Sequence, residues 1–168
     1  MVTFKRWWRH SFIPPWWWLR QFPKATLQQI EQAITRSERT HSGELRFAIE
    51  AALPPLLVWR GYRAAQRAIE LFASLGVWDT EDNCGVLIYV LLADREVHIL
   101  ADRGIAKRVP PAQWQTIVEA MQTQFRSGQF QQGALLGIAQ VTELLNQYFP
   151  ATATHPNQLP NAPVIIRH

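Results

Sequence analysis

The sequence predicts an α/β protein, a three-layer α/β/α sandwich around a small mixed sheet with a central β-hairpin. Three observations lead there. Val86 to Leu92 (VLIYVLL) is an unbroken apolar run, the pattern of a strand covered on both faces. Asp94 and Arg95 supply a turn, and Glu96 to Ala101 (EVHILA) returns with more alternation, as a strand nearer an edge does. The strand–helix–strand stretch from Glu44 to Leu92 has the length of a right-handed crossover, which makes its two strands parallel. A chain of 168 residues suits one domain with a core of this size.

In chain order, residues 1–25 read as a basic, tryptophan-rich arm. It holds Lys5, Arg6, Arg9, Arg20 and Lys24 without one acid, and five of the eight tryptophans: Trp7, Trp8, Trp16, Trp17 and Trp18. No apolar run there reaches the ~20 residues that span a bilayer. Pro14–Pro15 and Arg20 interrupt it and no small-residue cleavage site follows, so it reads as neither a spanning helix nor a signal peptide. A cytoplasmic protein, peripheral on the membrane, is the expectation. Indole with Arg and Lys is the composition of a membrane interface, so Arg6, Arg9, Arg20 and those tryptophans are candidate contacts to an anionic membrane surface. The alternative is that the aromatics pack on the domain or on a partner chain. Because the apolar periods begin at Leu27, removing residues 1–24 is expected to leave a folded domain.

Residues 26–150 carry that domain. Thr26 with Gln29 forms a capping-box pattern, and Leu27, Ile30 and Ile34 a helical stripe. Gly43 ends the helix, and Glu44 to Ala51 follow as a strand. Leu45, Phe47 and Ile49 share one of its faces, and Arg46, Ala48 and Glu50 the other. After Pro54–Pro55 a helix is expected over Leu57–Leu75, with Ala65, Ala68, Ile69, Phe72 and Leu75 buried and Gly76 past its last turn. Arg60, Arg63 and Arg67 stripe its solvated side. Beyond the hairpin, Pro110–Pro111 opens a helix with Trp114, Ile117, Val118, Met121 and Phe125 at helical spacing, which makes Trp114 and Met121 core rather than cofactor contacts. A last helix turns Phe130, Ala134, Ile138, Val141, Leu145 and Tyr148 inward. Residues 151–168, with Pro156, Pro160 and Pro163 and no periodicity, read as a flexible or extended tail.

The chemistry is sparse. The net charge of +4 belongs to the arm, since beyond residue 24 twelve basic side chains face thirteen acidic ones; a nucleic-acid face across the domain is excluded. Cys84 is the single cysteine, so no intrachain disulfide forms, and with no His or Lys beside it the thiol reads as inert. No nucleophile elbow, Walker loop or zinc-protease motif occurs, and His98 reads as a packed histidine. The candidate site is acidic. A hairpin sets the start of its first strand beside the end of its second, so Asp79, Glu81, Asp82 and Asn83 converge with Asp102, with Asp94 at the opposite end. Such oxygen-rich sets suit Ca²⁺ or Mg²⁺, although the spacing is not that of an EF-hand. The competing reading is a polar turn in which Asp79 or Asp82 caps backbone amides.

Five stretches carry a family resemblance: ERTHSGELR (38–46), AIELFASLG (68–76), NCGVLIYV (83–90), VHILADRGI (97–105) and FRSGQFQQGALLGI (125–138). Over about residues 26–150 the sequence resembles the TPM domain family. The resemblance implies an α/β/α sandwich, and it implies activities described for relatives: weak acid phosphatase, divalent-cation binding, and assistance in photosystem II repair. Three departures stand out. Cys84 occupies a position where the family commonly has asparagine, removing one oxygen ligand. Asp102-Arg103 precedes Gly104 where many relatives have a more glycine-rich turn. The Trp/Arg arm stands where relatives carry a secretion signal or spanning helix.

The expected function is a non-catalytic, membrane-associated accessory or binding module, with a divalent cation, Ca²⁺ or Mg²⁺, at the acidic end of the sheet. Two alternatives stay open. One is a metal-assisted weak acid phosphatase with Asp79, Asp82 and Asp102 as metal ligands. The other is an interaction domain whose arm binds a partner protein.

Overall fold

The computed structural model describes residues 4–14, 16–151 and 157–168. Strands β1 (Glu44–Glu50), β2 (Gly85–Leu91), β3 (Glu96–Ala101) and β4 (Val164–Ile166) form one mixed sheet in the order β3-β2-β1-β4. β1 runs parallel to both β2 and β4, and β2 and β3 are the antiparallel hairpin. Every residue of β1 and β2 is buried, as their apolar runs require of strands covered on both faces.

Helices cover both faces. Leu45, Phe47, Ile49, Val86, Ile88 and Val90 lie under α3 (Lys24–Ser37), α7 (Pro111–Arg126) and α8 (Phe130–Tyr148). Ala48, Leu87, Tyr89 and Leu91 lie under α4 (Pro55–Trp59) and α5 (Ala64–Ser74). Three further short helices are α1 (Phe4–Phe12), α2 (Trp18–Gln21) and α6 (Arg103–Ala106). This is the expected three-layer sandwich, with the hairpin at one side of the sheet rather than at its centre, since β3 is the edge strand.

Four details differ from the expectation. The arm is not separable: Trp18 and Phe22 belong to the core, and Phe22, fully buried, meets Phe47, Phe125 and Phe130 at ring-centroid distances of 6.3, 6.4 and 5.9 Å. Aromatic pairs of this geometry add about 0.5–1.5 kcal/mol to simple burial. The tail is not free either, because Val164, Ile165 and Ile166 pair with Ala48, Ile49 and Glu50, and Arg46 donates to the carbonyls of Pro160 and Ala162. The helix expected over Leu57–Leu75 breaks after Trp59 where Gly61 takes φ of 80°, which shifts the buried face of α5 to Ala64, Ala68 and Leu71 and leaves Ile69 exposed. Thr26 caps nothing; it sits inside α3 and bonds Gln131 Oε1 at 3.0 Å, while Pro23 occupies the cap position.

Candidate functional site

The hairpin register does bring the acidic residues to one end of the sheet. Val86 lies opposite Ala101, the Asp102 amide donates to Gly85 O (2.9 Å), and the Gly104 amide donates to Asn83 O (3.0 Å). Glycine is required at 104 because a Cβ there would come within 2.6 Å of Asn83 O and 2.8 Å of Asp82 O. Asp102 is buried and caps α6: its Oδ1 accepts from the Arg103 amide at 2.6 Å, while Oδ2 has no partner among the described residues. Asn83 Oδ1 accepts from Arg103 Nη2 at 3.3 Å. Asp79, Glu81 and Asp82 are exposed. The turn cap predicted for Asp79 or Asp82 belongs to Thr80, whose hydroxyl accepts from the Cys84 amide at 3.0 Å. Among the described residues no three His, Cys, Asp or Glu side chains form a group that could hold a metal ion. A hard cation at this end would be held by Asp102, joined by Asp79, Glu81 and Asp82 only if these exposed side chains turned toward it. Cys84, buried, has its thiol pushed up to about 11, first by burial and then by the charges of Asp82, Glu44 and Asp102; it is no nucleophile.

At the opposite end the arm docks. Asp94, a turn residue in the sequence reading, has a side chain only 5% exposed, and Arg6 Nε (2.9 Å), His10 Nε2 (3.0 Å) and Arg9 Nη1 (3.7 Å) surround it. His10 Nδ1 accepts from the Leu53 amide at 2.9 Å, which puts the ring proton on Nε2, facing Asp94. Those contacts set the roll of α1 about its axis. Phe4, Trp8 and Phe12, at helical i, i+4, i+8 spacing, are left 66, 46 and 65% exposed, beside Trp59 of α4 at 65%. Trp7 packs edge-on to Trp59 at 6.2 Å, and Trp8 stacks on Phe12 at 4.4 Å. Of the other predicted membrane contacts, Trp16, Arg9 and Arg20 are exposed, Arg6 and Trp17 are half-buried, and Trp18 is in the core and so leaves the set. No helix among the described residues is long and apolar enough to cross a membrane.

The family model of the TPM domain matches residues 21–144. The chain belongs to the TPM domain family. Among solved structures, the TPM chain is similar to the BA42 protein of the psychrophilic bacterium Bizionia argentinensis, with 32% identity and a TM-score of 0.74 over 84% of this chain and 92% of that one. It is also similar in fold to the N-terminal domain of a P. gingivalis protein, at 16% identity and a TM-score of 0.64, over 86% of this chain and 96% of that one. No curated protein gives a significant match. The matched segment begins inside the arm and takes in Phe22, in keeping with the place of that ring in the TPM core.

Two buried polar groups of this TPM domain escaped the sequence reading. Glu50, wholly buried in β1, accepts from Tyr89 Oη (2.6 Å) and Arg67 Nε (3.2 Å) and meets the His168 ring. Arg67 is thus not a solvated stripe residue. Burial, then the Glu50 charge, pushes the Tyr89 phenol far up, so it acts as a donor and not as a base. Ser37 and His41 form a 2.7 Å pair that imitates a hydrolase dyad. It is the wrong way round: His41 Nδ1 accepts from the Gly43 amide, so Nε2 carries the proton and donates to Ser37, whose hydroxyl lies 2.6 Å from Thr142 Oγ1. The only sequence signal was Glu50 inside the apolar strand segment; Ser37 and His41 lie in the polar stretch RSERTHSG, which carries none.

Proposed function

We propose that this TPM-domain protein is a non-catalytic accessory module that rests on an anionic membrane surface through α1. The observation that supports this is the docking of α1 by Asp94, which holds Phe4, Trp8 and Phe12 outward on one face together with Trp59. Exposed rings beside Lys5, Arg9 and Arg60 match what a lipid interface takes: indole and phenyl at headgroup depth, cations on phosphate. Vesicles of phosphatidylglycerol should pellet the protein and phosphatidylcholine vesicles should not, with binding falling as salt rises. Trp8→Ala with Phe12→Ala, both at exposed positions, should weaken binding about tenfold or more through lost apolar contact while leaving the melting temperature in place. Equal pelleting with both lipids, or an unaffected double variant, would overturn the reading.

A divalent cation at the acidic end is the second part of the proposal, supported by the buried Asp102 Oδ2, which has no partner among the described residues. Millimolar Ca²⁺ or Mg²⁺ should raise the melting temperature, since a ligand of the folded state stabilises it by about 2.7 kcal/mol at a hundredfold excess over Kd. Asp102→Asn, still a good helix cap, should reduce the rise, as should Asp82→Asn; exposed Glu31→Gln should not. Identical melting in either cation and in NaCl of matched ionic strength would remove the cation, and with it the metal-assisted phosphatase alternative that uses the same carboxylates.

A further inference from the structure

β3 is the outer strand of the sheet, and among the described residues its far edge pairs with nothing. Which groups it offers follows from the ladder. The Asp102 amide donates to Gly85 O, so Gly85 and Asp102 are a hydrogen-bonded pair. In an antiparallel ladder such pairs alternate, so Leu100, His98 and Glu96 also turn their backbone groups toward β2. Val97, Ile99 and Ala101 turn theirs outward. Their side chains drop under α7 with the core, which leaves three N–H and three C=O groups along an open edge. The β2–β3 register is continuous and β3 contains no proline, so neither a bulge nor a missing donor blunts it.

Beside that edge lies a groove of about 570 Å³ between β3 and α7. Half-buried Trp114 and Val118 form part of its α7 wall and Ile99 part of its β3 wall. An open strand edge facing a helix across a groove is the geometry that takes an extended peptide as an added strand, alternate side chains meeting Trp114, Val118 and Ile99 among polar neighbours such as Gln115 and Gln122. Charge says which peptide. Of the groove's own acids, Asp94 is held by Arg6 and His10, and the Glu96 carboxylate lies 3.3 Å from the His98 ring. Arg95 and Arg126, exposed at one mouth, join no ion pair among the described residues; Arg95 Nη1 instead donates to Arg126 O at 3.2 Å. A strand added antiparallel to β3 brings its C-terminal end to Arg95, where the two guanidinium groups meet it.

A second copy of this chain fits worse. The symmetric register that uses all three outward residues centres on Ile99 and sets Val97 against the copy's Ala101. It then sets Arg95 against the copy's Arg103, a like-charge pair across the new ladder. We infer that the β3 edge and the β3–α7 groove bind an extended peptide with alternating apolar residues and an acidic C-terminal end.

The test uses the full chain and a defined probe, an eight-residue peptide of alternating valine and threonine closed by two aspartates and a free carboxylate. Amide hydrogen exchange followed by NMR is the readout. Addition of the peptide should slow exchange at Val97, Ile99 and Ala101, with His98 and Leu100 already slow in the free protein. A peptide closed by two lysines and amidated should bind about tenfold more weakly, and Arg126→Glu should reverse the preference. Ile99→Pro, which removes one outward N–H and no ladder donor, should weaken the aspartate peptide in a protein that still melts cooperatively. Unchanged exchange at the three outward amides in millimolar peptide would overturn the inference. So would slowing of those amides with protein concentration alone and a dimer in sedimentation, which would give the edge to a second copy.

Discussion

Deleting residues 1–24 is expected to cost the protein its cooperative fold, whereas deleting residues 1–12 should leave it folded. The longer deletion takes Trp18 and Phe22 out of the core; Phe22 is fully buried among Phe47, Phe125 and Phe130. Truncating a buried phenylalanine or tryptophan to alanine costs about 3–5 kcal/mol, through lost transfer energy and the cavity left behind. Two such losses approach the whole stability of an ordinary domain, about 5–15 kcal/mol. The shorter deletion removes α1 alone. It uncovers Asp94 to water rather than burying it unpaired, so the charge is rehydrated and the loss is small. Thermal melting by circular dichroism separates the two cases. If both truncations melt cooperatively within a few degrees of the full chain, the place of Trp18 and Phe22 in the core is wrong. The shorter one also removes Phe4, Trp8 and Phe12, so it should lose phosphatidylglycerol vesicles while keeping its fold.

The same residues show where the sequence was legible. β2, β3, α7 and α8 announce themselves through runs and periods that lie within each segment, and their bounds emerged within a residue or two. The arm and the tail depend on partners far along the chain. Arg6 and His10 find Asp94 more than eighty residues away, and Ala48 finds Val164 across more than a hundred. Nothing local marks Trp18 as core and Trp16 as exposed, since both are indoles in one run, and only the docked angle of the arm divides them. Asp94 is the clearest case. As part of a polar turn at the far end of the hairpin it carried no expected role, and it is instead the anchor of α1. At the acidic end the convergence of Asp82, Asn83 and Asp102 was legible because a hairpin forces it. The orientation of each carboxylate was not, because the cap went to Thr80, a neighbour with a hydroxyl of shorter reach.

Stability should respond little to pH between about 4.5 and 6.5, because two groups pull against each other there, and removing either should expose the other. His41, buried and neutral, is held down at about 4 from 6.5 by burial, against the pull of its backbone hydrogen bonds. As pH falls, the unfolded chain takes up that proton first, so the stability present above about 6.5 is lost progressively down to about 4. Each pKa unit is worth about 1.4 kcal/mol, so His41 accounts for about 3 kcal/mol. Glu38 moves the other way. Burial raises it from 4.5 to about 7, offset in part by the Leu45 amide bonded to Oε1 and by the Asn161 side chain, with the Glu44 charge adding to the rise. Its protonated form is favoured in the folded chain, so stability present below about 4.5 is lost as pH rises through about 7. Half-buried Glu38 contributes less than His41, but over the shared window the two slopes have opposite sign. Glu38→Gln keeps an acceptor for the Leu45 amide and should give a protein that gains stability steadily as pH rises from 4 to 6.5. His41→Gln should give one that loses stability from 4.5 to 7. Urea denaturation at half-unit pH steps reads both slopes directly. Parallel pH profiles for the parent and the two variants would mean that neither group is held away from its ordinary value, and the compensation would fall with them.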